Sequence, residues 1–328
     1  MKKIQILQEI EKLLGKKVFI VGGAVRDILL KKKPKDIDIA SSVTPDEVIE
    51  KLSVRFKIIP TGIEHGTVTI VDTVNGFETE HTTFRKDVET DGRKAVVEFS
   101  NSIEDDLSRR DFTINAMAVS LDGKLIDPFG GRRDIEKRRI IRTVGNPEKR
   151  FQEDFLRIIR AARFATVLGF KIDDETLTAM KKLSHLVEDN VSPERIRGEL
   201  TKAEDPFLAG WLAHLGIWED LTSLWFKIKS NPINLMVELA INSDIQDLDK
   251  YRFTSKEKRL VNLFKHAVNG RFRPVYSARN QPNVIKQLKD ILKRYDRKDL
   301  ANKVDKAIKI KPTADNPKDI VQKALNNL

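Results

Sequence analysis

The sequence contains no cysteine, which excludes disulfides, thiolate metal centres and cysteine nucleophiles. Histidine is scarce too. The five residues His65, His81, His185, His214 and His266 are scattered, with no HExxH spacing, so each reads as a core or surface residue rather than a zinc ligand. Nowhere do 18 apolar residues run together, so neither a membrane-spanning helix nor a membrane partner is expected. Gln and Glu interrupt the apolar positions of the opening MKKIQILQEIEKLLGKK, which suits an amphipathic helix better than a signal peptide. The expected location is cytoplasmic. There is no internal repeat and no long low-complexity tract.

At 328 residues, 40% apolar and 33% charged, the chain has the material for a soluble globular protein of two or three structural units. Lys and Arg number 60 against 49 Asp and Glu, a net charge of +11. Such an excess favours a polyanionic partner such as RNA or DNA, although a lysine-rich solubilising surface gives the same balance.

The stretch Lys17 to Ala40, KVFIVGGAVRDILLKKKPKDIDIA, carries the chemistry. A short apolar strand, Val18 to Val21, runs into a Gly22-Gly23 turn and a helix from Ala24 to Leu30. Glycines at such a turn let backbone N–H groups approach an anion, and the helix N-terminus adds partial positive charge. A second strand is expected to carry Asp36 and Asp38. Alternation would put both carboxylates on one face and Ile37 and Ile39 on the other, an arrangement suited to Mg2+ held with substrate phosphates.

Further along, Thr44-Pro45-Asp46-Glu47 is a capping box with Pro at the first helical position. Arg55 to Pro60 reads as a strand, and Thr67 to Thr73 and Phe77 to Phe84 as a hairpin around Asn75-Gly76. Glu80 lies on the second of these strands and, taken alone, faces solvent. The polar Arg85 to Val97 reads as a mobile loop. SIEDDLSRRDFTINAMAV is expected to be a helix-turn-helix run crowding Arg109, Arg110, Asp111 and Asn115 together, and LIDPFGGRRDIEKRRIIRTV passes through Gly130-Gly131 into a basic helix.

From Pro147 the pattern is helical. In PEKRFQEDFLRIIRAARFATVLGF the apolar set Phe151, Phe155, Ile158, Ile159, Ala162 and Ala165 marks a buried stripe. Asp154, Arg157, Arg160 and Arg163 form a separate row at three-residue spacing. Taken alone, that row is a set of surface ion pairs, worth a few tenths of a kcal/mol each. More helices follow, one opened by Ser192-Pro193-Glu194, with Pro breaks at Pro274, Pro282, Pro312 and Pro317.

The series GGAVRD with DID, RRDFTINAMA, DPFGGRRDI, EDFLRIIRAARFA and SPERIRGEL resembles, in order and spacing, the class II tRNA nucleotidyltransferases, the bacterial and eukaryotic CCA-adding enzymes. The resemblance covers about residues 15 to 200. It implies an α+β fold: a polymerase-β-like nucleotidyltransferase head with a mixed β-sheet over residues 1–140, a helical neck for base recognition over 141–205, and a helical body and tail that bind tRNA over 206–328. The whole neck, body and tail would be helical.

The resemblance further implies template-independent addition of CMP and AMP to the tRNA 3′ end from CTP and ATP, with pyrophosphate released. Asp36 and Asp38 would hold two Mg2+ ions, with Glu80 as the third carboxylate. Gly22, Gly23 and Arg26 would cradle the triphosphate, and Arg110, Asp111 and Asn115 the sugar and phosphates. Asp154 and Arg157 would read the base, with Arg160 and Arg163 in the same nucleotide-binding row. Cytosine and adenine both place an exocyclic amine beside a ring-nitrogen acceptor, which a carboxylate next to a guanidinium can pair. Uracil and guanine would leave both side chains unpaired, a strong basis for rejection.

A-only or poly(A) addition remains open from these motifs, as does a non-catalytic RNA-binding protein. The Arg85 to Val97 segment, with Asp91 and Arg93, argues against CC-only addition. Nothing resembles a phosphohydrolase domain, so no hydrolytic repair activity is expected. The lysines from about Lys250 to Leu328 are expected to contact tRNA phosphates. Whether the chain forms a homodimer is left open.

Overall fold

The structure, a computed structural model, describes residues 3–90, 95–203, 205–243 and 245–309. The chain forms two compact units, Met1–Leu186 and Val187–Leu328. The first thus holds the sheet together with the first helices of the expected neck.

Unit one is built on a mixed sheet. Its strands are β1 (Phe19–Val21), β2 (Asp38–Ser41), β3 (Lys57–Gly62), β4 (Thr67–Asp72) and β5 (Phe77–Thr83), then, beyond a separate hairpin of β6 (Arg85–Thr90) and β7 (Ala95–Phe99), β8 (Ala118–Ser120) and β9 (Leu125–Ile126). The order across the sheet is β3-β4-β5-β2-β1-β8-β9. β2 runs antiparallel to β1 and parallel to β5. Asn75-Gly76 makes the β4–β5 turn, with Gly76 at φ 63°, as the sequence suggests.

One face of the sheet is covered by α1 (Lys3–Leu14) and α3 (Pro45–Leu52), which enclose Ile6, Leu7, Ile10, Ile39, Val48, Leu52 and Ile70. Each such buried aliphatic side chain contributes about 1.5–3 kcal/mol. The Thr44 capping box is closed, with Thr44 N–H donating to Glu47 Oε2 at 2.9 Å. Across the sheet, α2 (Gly23–Leu29) and α4 (Ile103–Ser108) flank a second cluster of Val21, Ala40, Phe84, Ile103, Leu107 and Ala118. The two clusters pin the β2 register, since a slip of one residue would turn Ile39 out of its core.

Four local expectations are corrected. Arg85–Thr90 and Ala95–Phe99 pair as antiparallel strands instead of forming a loop; Asp91 and Arg93 lie outside the described residues. The apolar run that builds β7 begins at Ala95, inside the stretch whose polar, Gly-containing start suggests a loop. RRDFTINAMAV does not continue as a second helix: Thr113–Asn115 is one 3-10 turn leading into β8. The Thr113 carbonyl lies where a Cβ on Gly131 would sit, 2.1 Å away, so this turn is packed against the Gly130-Gly131 loop. The basic helix after that loop is short, ending at Arg138 before a strand at Ile140–Ile141. Finally, the helix from Pro147 breaks into α5 (Pro147–Glu153) and α6 (Leu156–Leu168) because Asp154 is extended, at φ −159° and ψ 105°. α7 (Asp174–Leu183) completes the unit's main helices.

The described part of unit two contains helices and turns without a strand, its longer members being α8 (Pro193–Ala203), α9 (Pro206–His214), α10 (Leu235–Asn242), α11 (Ser255–Val268), α12 (Pro282–Arg294) and α13 (Lys298–Ile308). Two buried carboxylates tie them. Glu238 accepts from Arg294 Nε at 3.0 Å and the Tyr295 hydroxyl at 2.8 Å. Glu257 takes both Arg197 contacts, at 2.8 and 2.9 Å. Buried charges paired in this way cost far more to break than to keep. Pro312 and Pro317 lie outside the described residues. Among those described, no helix is long and apolar enough to cross a membrane.

Candidate active site

β1 ends at Val21, and Gly22 takes φ 68° as it turns into α2. A Cβ at Gly22 would lie 2.6 Å from Arg110 Nη1. Glycine is therefore needed twice here, for the backbone conformation and for the approach of Arg110. One turn into α2, Arg26 donates through Nη1 to Asn115 Oδ1 at 2.9 Å and through Nε to Asp27 at 2.9 Å.

Arg110 is held by a residue the motif reading passed over. Asp106, 0% exposed, gives Oδ1 to Arg109 and Oδ2 to Arg110, with Arg110 Nη2 at 2.9 Å. Burial pushes the Asp106 carboxyl up, but the Arg110 and Arg109 guanidiniums outweigh it and hold it below the usual carboxylate range. One buried charge thus orients two opposite ones. The spacings of three and four residues on α4 and its end were the available signal.

Asp111 makes the next link. Its Oδ1 accepts from the Phe112 N–H at 2.8 Å and from Asn115 Nδ2 at 3.2 Å, and its Oδ2 from Arg160 Nε at 2.9 Å. Burial raises this carboxyl, and Arg160 with Asn115 and Phe112 brings it below its ordinary value. Because Asn115 donates to Asp111 and accepts from Arg26, the network sets its amide orientation. A continuous relay results: Arg160, Asp111, Asn115, Arg26.

Asp154 sits at the break before α6, its Oδ1 accepting from the Leu156 N–H at 3.1 Å. Arg157, in the first turn of α6, bonds Glu153, the Arg150 carbonyl at 2.9 Å and the Arg109 carbonyl at 3.4 Å. The helix break places Asp154 and Arg157 beside the head residues rather than along a solvated row.

Asp38 opens β2 and is half-buried. Because Ile39 is opposite His81 in the parallel β2–β5 pair, Asp38 and Glu80 fall side by side on the other face. Asp36 lies two residues ahead of β2, outside the ladder and exposed, so the expectation of two aspartates on one strand is corrected. Ile37 between them is held by Thr79 Oγ1, which donates to its carbonyl at 2.6 Å. Burial, then Glu80, then Asp36 push the Asp38 carboxyl up, with Arg110 opposing. Among the described residues no three His, Asp or Glu side chains form a cage on their own. Crowded carboxylates that lack a full cage fit an ion that completes its shell with water and phosphate oxygens.

These elements enclose a cavity of about 420 Å³ lined by Gly22, Gly23, Arg26, Asp38, Arg109, Arg110, Asp111, Asn115, Asp154, Arg157, Arg160 and Phe164. Of the thirteen residues singled out from the sequence, Asp36, Glu80 and Arg163 stand outside this lining. Five arginines against three aspartates make it a receptor for an anion.

Residues 18–141 match the family described as Poly A polymerase head domain, and residues 169–203 that described as Probable RNA and SrmB- binding site of polymerase A. The whole fold is similar to that of Bacillus stearothermophilus CCA-adding enzyme, solved in complex with CTP: 32% identity, TM-score 0.70, 99% of this chain and 82% of that one. The chain belongs to the family of CCA-adding enzymes and poly(A) polymerases.

Within that family it is 47% identical over 203 residues to the CCA-adding enzyme of Ligilactobacillus salivarius, covering 61% of this chain and 48% of that protein. It is 45% identical over 190 residues to that of Bacillus cytotoxicus, covering 57% and 46%. The matched stretch thus spans about half the length of these relatives. The motifs assign roles to Arg110, Asp111 and Asn115 but none to Asp106, Glu153 and Phe164. Asp106 and Glu153 pair with arginines three or four residues away, a spacing legible in the sequence, whereas the approach of Arg26 to the Phe164 ring is not.

Proposed function

We propose that the chain adds CMP, CMP and AMP in turn to the 3′ end of tRNA, using CTP and ATP and releasing pyrophosphate. One observation carries this reading: the arginine-rich cavity sets a glycine turn, the raised Asp38 carboxyl and the Asp154/Arg157 pair around a single space. The similarity to CCA-adding enzymes supports it.

Gly22 and Gly23 form the turn that cradles the triphosphate, the N–H offered to it being that of Gly23 at the start of α2 since the Gly22 N–H is taken by the Met117 carbonyl at 3.2 Å, and Arg26 and Arg110 neutralise its oxygens. Asp111 and Asn115, locked by Arg160 and Arg26, accept and donate to the sugar. Asp154 accepts from the exocyclic amine of C or A while Arg157 donates to the adjacent ring nitrogen, so U and G leave both groups unpaired. Asp36 and Asp38 would hold Mg2+, with Glu80 beside them. When bound, such ions lower the pKa of the attacking 3′-hydroxyl and neutralise charge on the phosphates.

In this reading residues 1–140 are the catalytic head, 141–205 the base-reading neck and 206–328 the tRNA-binding body and tail. A cytoplasmic location is consistent with a tRNA substrate.

The test uses purified protein, Mg2+ and tRNA transcripts ending before CCA, after C and after CC, each with CTP, ATP or both. Stepwise addition of C, C and A to the shortest transcript is expected. Extension of only the CC-ended transcript by one A would make it an A-adding enzyme, long A tails a poly(A) polymerase, and no extension a non-catalytic RNA-binding protein.

A further inference from the structure

Three guanidiniums gather over one ring. The Cζ atoms of Arg26, Arg160 and Arg163 lie 5.3, 5.4 and 4.1 Å from the Phe164 ring centroid. Phe164 is 5% exposed and meets Phe112 edge-on, centroids 5.7 Å apart with planes at 79°. Arg26 comes from α2 and the other two from α6, so the ring is common ground between the glycine turn and the neck.

Like charges brought this close repel. Arg26 is tied to Asp27 and Asn115, and Arg160 to Asp111, but those contacts secure each arm separately. The negative face of an aromatic ring is the surface all three share, and it attracts a guanidinium in a way an aliphatic side chain of similar volume does not.

We propose that Phe164 is a positioning residue for the nucleotide: its ring holds Arg26 and Arg160 at the cavity wall, oriented before the substrate arrives. This rests on the nucleotide-binding reading above. Arg163, nearest the ring but outside the cavity lining, completes the stack rather than touching the nucleotide. Packing alone would be met by leucine, which separates a structural role from a positioning one.

The experiment compares the full-length protein with Phe164→Leu and Phe164→Tyr, measuring equilibrium binding of CTP and ATP, KM and kcat for each, and melting temperature. Phe164→Leu is expected to weaken binding and raise KM about five- to tenfold, with kcat changed less than about twofold, and Phe164→Tyr to restore both. Unchanged KM in the leucine variant, a loss confined to kcat, or a tyrosine variant no better than leucine would overturn the proposal. Should the leucine variant fail to fold, the unaltered protein still decides. The Nε–H protons of Arg26 and Arg160, assigned through Arg26→Lys and Arg160→Lys, are expected upfield from the ring current, and unshifted resonances would overturn it. If the unaltered protein binds neither CTP nor ATP, the nucleotide reading itself is wrong and takes this one with it. Binding that is indifferent to Phe164→Leu sinks the role of Phe164 alone.

Discussion

Arg160 donates to Asp111 across a sequence separation of 49, Nε to Oδ2 at 2.9 Å, joining α6 to the loop after α4. The pair is mostly buried, with side-chain exposures of 29% and 10%. Removing one member strands the other's charge. Asp111→Asn is therefore expected to cost about 3 kcal/mol of stability in urea unfolding. In a double-mutant cycle with Arg160→Gln the two losses should overlap, and simple additivity would show that the pair is not coupled.

The carboxylates beside the glycine turn are expected to matter for chemistry and not for RNA affinity. Asp38→Ala and Asp36→Ala should each lower nucleotide addition by about a thousandfold or more in single-turnover extension, since under the proposed function each would lose an oxygen ligand for the ion that would activate the attacking hydroxyl. tRNA binding, followed by filter retention, should survive. Full activity in either variant contradicts the metal assignment.

Asp154 should act on choice rather than on affinity. With Asp154→Ala, incorporation of UMP or GMP relative to CMP and AMP is expected to rise by about tenfold or more, because under the proposed function the carboxylate that would reject a carbonyl at that position is gone. Competition assays with all four nucleotides measure this. An unaltered ratio rules out templating by this side chain.

His81 gives the fold a pH dependence. It is 0% exposed on β5, bonded through Nε2 to Ser41 Oγ at 2.7 Å, and burial pushes its pKa down from 6.5 to about 4. Between those values the unfolded chain binds a proton that the folded chain refuses, so stability present at neutral pH is lost as the pH falls. The loss should approach about 3 kcal/mol by pH 4. Urea unfolding from pH 7.5 to 4.5 reads it, and His81→Gln should flatten the curve in that window; an equal slope in both proteins would remove His81 as the cause.

Local chemistry determined much of this protein from sequence alone. The Val-Gly-Gly turn, the Thr44 capping box and the Asn75-Gly76 hairpin formed as expected because each is set by residues within a few positions of one another, through backbone freedom and short-range hydrogen bonds. Of the ten candidate residues that line the cavity, Gly22, Gly23 and Arg26 lie in such an element, and the others are brought to it by strand register and packing. What tertiary structure alone decided was pairing over distance. The register that sets Glu80 beside Asp38 depends on which strand β2 adopts as neighbour, and the apolar pattern of α5 and α6 runs straight through Asp154 without marking the break. Asp111 on Arg160 and Arg26 on the Phe164 ring are contacts between side chains whose approach is set by packing of separate elements. Periodicity tells which face of a helix or strand is buried; only the assembled core tells what that face meets.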